Sequence, residues 1–165
     1  MKTNKLLLFF TLLLFLLFNN LSFAGWEAVI SIIGKDMGGQ FKKDIKLGIG
    51  ADEILLSAPP SPPQFSCNIF MPDENWKNRL ITNIQKKGLD SYLWIIAANA
   101  KGNVGPITDA VSHIKWNSSD FEKNKFELRQ GWDGQGEIII SDMSAASELE
   151  IVGGNYDQYF TLVMK

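Results

Sequence analysis

Ala110-Val111-Ser112-His113-Ile114-Lys115-Trp116 alternates residue by residue, with Val111, His113 and Lys115 on one side of an extended chain and Ile114 and Trp116 on the other. Successive side chains of a β-strand point to opposite faces, so the pattern describes a strand with one wet and one apolar face. A helix would need apolar residues recurring every three or four positions. The period of two recurs on both sides of this run. Trp26–Ile33 and Lys43–Ile49 flank Gly34-Lys35-Asp36-Met37-Gly38-Gly39, which reads as a hairpin with a loose tip. Further strands are predicted at Phe65–Phe70, Leu80–Ile84, Tyr92–Ala98, Lys125–Gln130, Glu137–Ser141, Glu148–Val152 and Gln158–Met164. Only Pro72–Trp76 and Asp142–Ser147 have the composition for a helical turn, and glycine-rich loops such as 101–106 and 131–136 separate the strands.

Many short strands without intervening amphipathic helices predict an all-β fold, specifically an antiparallel β-sandwich whose two half-apolar sheets bury their inner faces. An outer-membrane barrel fits the chain length but needs strands of roughly 9–11 residues, longer than these. Ala58-Pro59-Pro60-Ser61-Pro62-Pro63 holds four of the six prolines and predicts an extended, polyproline-type crossing between sheets. It is read as lying within one domain, because the 33 residues between Ala24 and Ala58 are too few for a core of their own.

The front of the 165-residue chain follows a different logic. Lys2 and Lys5 precede an apolar run from Leu6 to Phe18, a polar break at Asn19-Asn20, and Ser22-Phe23-Ala24 before Gly25, the anatomy of a secretory signal with an A-x-A-like cleavage site. Residues 1–24 are therefore expected to be removed on export, leaving residues 25–165 as one domain. The apolar run falls short of the roughly 20 residues of a membrane-spanning helix. Without Lys2 and Lys5 the chain has 14 basic and 18 acidic residues, net charge −4. Nucleic acid and anionic membrane surfaces call for a basic patch and are poor partners for such a chain.

One cysteine and one histidine narrow the chemistry. Cys67 alternates with Phe65, Ile69 and Met71 and reads as a buried small hydrophobe, with an intermolecular disulfide as the alternative. No cluster of Cys and His supplies a zinc site, so no metal or other cofactor is expected. His113 is expected at a wet surface, and no Gly-x-Ser-x-Gly elbow presents a serine to it. Asp133-Gly134-Gln135-Gly136-Glu137 lacks the alternating ligands of a calcium loop and reads as a tight turn. Asn117-Ser118-Ser119 matches the glycosylation acceptor pattern, which is idle in the bacterial setting suggested by the signal.

Leu47-Gly48-Ile49-Gly50-Ala51-Asp52, the prolines at 59–63, Tyr92-Leu93-Trp94-Ile95-Ile96, His113-Ile114-Lys115-Trp116 and Tyr159-Phe160-Thr161-Leu162-Val163 together resemble the order of signals in Ig-like β-sandwich modules of exported bacterial proteins. Modules in flagellar hook-capping proteins and large surface proteins are of this kind. The resemblance implies an Ig-like fold, a structural Trp94 packed in the core, and a non-catalytic role. It differs in architecture, because such modules sit beside other domains, whereas the last strand here ends almost at Lys165.

The function expected is a non-catalytic binding or assembly module, secreted or periplasmic, that meets a protein or glycan partner in the envelope or outside the cell. A first alternative is a carbohydrate-binding module that stacks sugar rings on exposed tryptophans. Trp132, between Gly131 and Asp133-Gly134, is the leading candidate and Trp76 the next, whereas Trp94 and Trp116 belong to apolar runs and to the core. A second alternative is a hydrolase whose paired carboxylates sequence spacing alone does not reveal. Assembly would use a sheet edge. Of the two terminal strands, Gln158–Met164 is the better candidate edge, being uncharged, β-prone and free of proline; a central, fully paired position is the competing expectation.

Overall fold

The structure, a computed structural model, describes residues 25–36, 39–59, 66–71, 79–99, 111–152 and 156–165. The strands are β1 (Trp26–Asp36), β2 (Gly39–Gly50), β3 (Ile54–Ser57), β4 (Ser66–Phe70), β5 (Arg79–Lys86), β6 (Tyr92–Asn99), β7 (Val111–Trp116), β8 (Phe126–Gln130), β9 (Ile138–Ile140), β10 (Glu148–Val152) and β11 (Gln158–Met164). All belong to one sheet in the order β10-β7-β1-β2-β5-β4-β6-β11-β8-β9, with β3 attached to β5 off this path. The all-β expectation holds. The purely antiparallel arrangement does not, because β2 and β5 run parallel, Lys46 facing Thr82 and Gly50 facing Lys86.

Alternation explains which face each strand buries. Along β7 Ser112, Ile114 and Trp116 are buried, while Val111 is exposed and His113 and Lys115 are half-buried. On β1 Trp26, Ala28, Ile30 and Ile32 enter the core, and Ile45, Leu47 and Ile49 of β2 meet them. β2 and β4 both pair with β5 on the side away from β3, so the sheet divides there into two arms, β10-β7-β1-β2 and β4-β6-β11-β8-β9. Inward side chains of the two arms meet, the Trp26 ring lying 5.2 Å from that of Trp94 on β6 and 4.3 Å from that of Phe126 on β8. The sheet is therefore curled onto itself, and the aromatic side chains fill its inside.

Close approach on both sides of β2, by the β1 backbone and by a β5 side chain, leaves no room for a Cβ at Gly48. A Cβ on Gly48 would sit 2.6 Å from Ile84 Cδ1 and 2.6 Å from the Trp26 carbonyl oxygen. The two ends of the strand order are joined by residues 141–147. Within this segment a 3-10 turn (Met143–Ala145) buries Met143, and the Met143 carbonyl accepts the Trp116 indole N–H at 2.9 Å. Asp142 caps that turn by accepting from the Ser144 N–H, bearing out the expected helical turn at 142–147. A second 3-10 turn, Ser118–Phe121, was not expected. Asn117 caps it, and Phe121 enters the core against Trp26 and Phe126.

Several expectations are corrected. β1 and β2 extend through Asp36 and Gly39, where Gly34–Gly39 had been read as a loose tip, because their ladder continues in register to those residues. Both terminal strands are interior, β1 lying between β7 and β2 and β11 between β6 and β8. The apolar, uncharged sequence of β11 reflects that central position, so the edge expectation for Gln158–Met164 is overturned and the competing one stands. Residues 1–24, Trp76 and prolines 60–63 lie outside the described residues. Among the described residues no helix is long and apolar enough to cross a membrane.

Candidate functional site

Trp132 is 47% exposed on the loop between β8 and β9. The loop is held in place by partners distant in sequence. The Gly131 N–H donates to the Tyr159 carbonyl at 2.8 Å, and the Thr161 hydroxyl donates to the Gly131 carbonyl at 2.8 Å. Beyond the tryptophan, the Gln135 N–H donates to the Asp133 carboxylate at 2.9 Å, which makes this stretch the tight turn read from the sequence. Gly134 has a left-handed φ of 73°, and a Cβ there would lie 2.8 Å from Leu93 Cδ1. Hydrogen bonds and a glycine contact thus fix the backbone that presents the indole, and a fixed aromatic face suits stacking on a flat apolar ligand.

A second arrangement spans the outer face of β10, β7, β1 and β2. Glu148, Lys115, Ser31 and Asp44 stand side by side in one row across the four strands. Lys115 Nζ contacts Glu148 at 2.8 Å, and the Ser31 hydroxyl donates to Asp44 at 2.6 Å. These bonds hold the Glu148 and Asp44 carboxyls below their ordinary range, Lys115 acting on the first and chiefly Ser31 on the second. His113 lies in the neighbouring row, half-buried, with Nδ1 3.9 Å from Glu148. It belongs to a solvated, charge-laced face, as the alternation of β7 implies.

Polar groups also lie inside. Glu127 is 1% exposed, and its carboxylate accepts from Arg129 Nε at 2.5 Å and meets Lys165 Nζ at 2.6 Å. Burial pushes this carboxyl up, but the hydrogen bonds from Lys165 and Arg129 outweigh it and leave it below the ordinary glutamate range. Lys43 Nζ donates to the side-chain oxygen of the fully buried Asn68 at 3.0 Å, and burial pulls the Lys43 ammonium below its ordinary range. Cys67, next to Asn68, is a free thiol sealed in the core, and burial pushes it up to about 12. A buried thiol of this kind is inert and has no surface from which to reach a second chain. These ionic contacts neutralise buried or half-buried charge and are structural in character.

The feature missed from sequence is β3. Ile54, Leu55 and Leu56 are 46%, 41% and 51% exposed, and all four residues of the strand are exposed. β3 pairs antiparallel with β5, and among the described residues with no other strand. Three adjacent apolar residues carry no alternation, so periodicity gives no strand there; the flanking Asp52-Glu53 and the prolines are the only local signs of a strand kept at a surface. The sequence-derived sites are thus divided. Trp132 stands exposed on a fixed loop, and Trp76 lies outside the described residues. Among the described residues no group of three or more His, Cys, Asp or Glu is placed to hold a metal ion. Comparison of the chain with protein-family models, curated proteins and solved structures finds no match.

Proposed function

We propose that this chain is an exported, non-catalytic binding or assembly module, secreted or periplasmic once residues 1–24 are removed. The observation that carries the reading is β3, among the described residues an edge strand whose three consecutive apolar side chains are all exposed, where other strands expose at most one. Exposed apolar edges invite strand addition, and soluble proteins ordinarily blunt them with charge, proline or bulges. An Ig-like module belongs to the same proposal. Trp94 packed among Trp26, Tyr92 and Phe126 supports it, and the parallel β2–β5 pair is the departure from such a module. The test is chemical cross-linking of the exported fraction. Cross-linked species containing this chain are expected, and they should be lost in a Leu56→Lys variant that keeps its fold; an identical pattern in both proteins refutes the reading.

The fixed, exposed Trp132 supports a second reading, glycan binding by aromatic stacking. Trp132→Ala should then abolish retention on a polysaccharide array with little change in stability, and retention equal to that of the native chain removes this reading.

A further inference from the structure

β3 is uncharged and free of proline and glycine over Ile54–Ser57, and its side away from β5 presents backbone N–H and C=O groups with no strand against them among the described residues. The two ends of the main strand order are guarded by comparison. β10 carries exposed Glu148 and Glu150, and β9 is three residues long with Ile139 and Ile140 packed against the core; an irregular register is common to β9 and β3. Of the three edges, β3 alone combines an open ladder with exposed apolar side chains on both faces and no charge within the strand.

We propose that β3 pairs antiparallel with β3 of a second copy of this chain, about a two-fold axis centred on Leu55. The proposal rests on the assembly reading above and narrows it to one partner and one register. A two-fold axis perpendicular to a sheet keeps each face on its own side, so a residue faces either itself or one an even number of positions away. Centring on Leu55 puts Leu55 against Leu55, Ile54 against Leu56, Glu53 against Ser57 and Asp52 against Ala58. Apolar side chains then meet apolar side chains, and each acid meets a neutral residue.

The other simple pairings are worse. Centring on Leu56 places Ile54 against Ala58 and Glu53 against Pro59, which has no N–H to give. Parallel in-register pairing sets Asp52 against Asp52 and Glu53 against Glu53, directly opposed like charges that destabilise a ladder. The antiparallel pair is also closed: each copy uses its one open β3 edge, giving a dimer and no fibre. Four residues a side fall well below the roughly 20–30 of a stable interface. The dimer is therefore weak, and forms where the chain is concentrated.

The register gives a specific test in the full exported chain, whose natural Cys67 is buried. Opposed residues of an antiparallel pair have Cα atoms about 4.5–5.5 Å apart, within disulfide range. At high protein concentration under mild oxidation, which traps transiently paired copies, Leu55→Cys should yield a covalent dimer. Ile54→Cys and Leu56→Cys should not do so alone, whereas their equimolar mixture should. Adding Leu55→Lys to the Ile54→Cys and Leu56→Cys chains should remove the mixed dimer while circular dichroism stays unchanged. No dimer, or equal dimer from all three single variants, overturns the pairing. If Leu55→Cys fails to link to itself but cross-linking of the exported fraction still captures a different protein through β3, the homotypic pair is wrong and the assembly reading stands. If neither occurs, both fall.

Discussion

Replacing Trp94 by alanine tests the curled sheet at its centre. Trp94 is 1% exposed, its ring lies 5.2 Å from Trp26, 6.1 Å from Tyr92 and 6.4 Å from Phe126, and its indole N–H donates to the Asn83 carbonyl at 3.1 Å. A tryptophan buries about 150–250 Å², which at about 25 cal/mol per Å² gives about 4–6 kcal/mol of transfer free energy. Alanine retains a small part of this and neighbouring side chains relax into part of the cavity, so truncation of buried aromatics costs about 3–5 kcal/mol. The Asn83 carbonyl, losing this donor, adds about 1 kcal/mol, placing the expected loss near 4–6 kcal/mol. At about 0.05–0.15 kcal/mol per residue, the 141 residues from Gly25 to Lys165 hold about 7–21 kcal/mol, so a chain of middling stability stays folded as Trp94→Ala. Urea titration followed by far-ultraviolet circular dichroism measures the loss, and thermal melting should show a midpoint lower by about 14–20 °C. Trp94→Phe keeps one aromatic ring while removing the donor and part of the indole volume, and should cost about 1–3 kcal/mol. A loss below about 1 kcal/mol for alanine would place Trp94 at a surface and refute the inward curl. Equal losses for Phe and Ala would assign the effect to the hydrogen bond instead of the packing.

Glu127 has a folded pKa below the ordinary glutamate value of 4.5, so the stability it contributes is present above that value and is lost as pH falls through the folded one. Acid titration of unfolding should show that loss, and Glu127→Gln should lower stability at neutral pH by about 1–3 kcal/mol while flattening the acid limb; an unchanged limb would dissociate Glu127 from it. Gly48→Val should destabilise by at least about 1–3 kcal/mol through overpacking against Ile84 and the Trp26 backbone, as read by the urea midpoint, and a neutral effect would show that the β2–β5 seam is looser than described. N-terminal sequencing of the exported protein should begin at or near Gly25, and an intact Met1 in that fraction would contradict the signal-peptide reading.

Position in the sheet separates what was legible in the sequence from what was not. The strand character of β7 and the burial of Ile114 and Trp116 follow from alternation within seven residues, because the pleat sends neighbouring side chains to opposite faces whatever the rest of the chain does. The burial of Trp94 and Cys67 was legible for similar local reasons, Trp94 sitting in an apolar run and Cys67 alternating with Phe65, Ile69 and Met71. The exposure of Trp132 was signalled by its glycine neighbours, but the bonds that fix its loop come from Tyr159 and Thr161, about 30 residues further along. No local pattern announces them.

Edges are decided still less locally. A strand becomes an edge through which other strands pair beside it, and that choice belongs to the whole sheet. β11 looks like an open terminal strand along the chain, yet β6 and β8 flank it. Ile54-Leu55-Leu56 looks like core along the chain, yet β2 and β4 pair with β5 and leave β3 on its outside. At the parallel β2–β5 seam Gly48 meets Ile84, a residue 36 positions away. Composition and period determined that this chain forms strands with apolar faces; the pairing of distant strands determined which apolar residues are left exposed, because hydrogen-bond ladders are completed between segments that sequence proximity does not join.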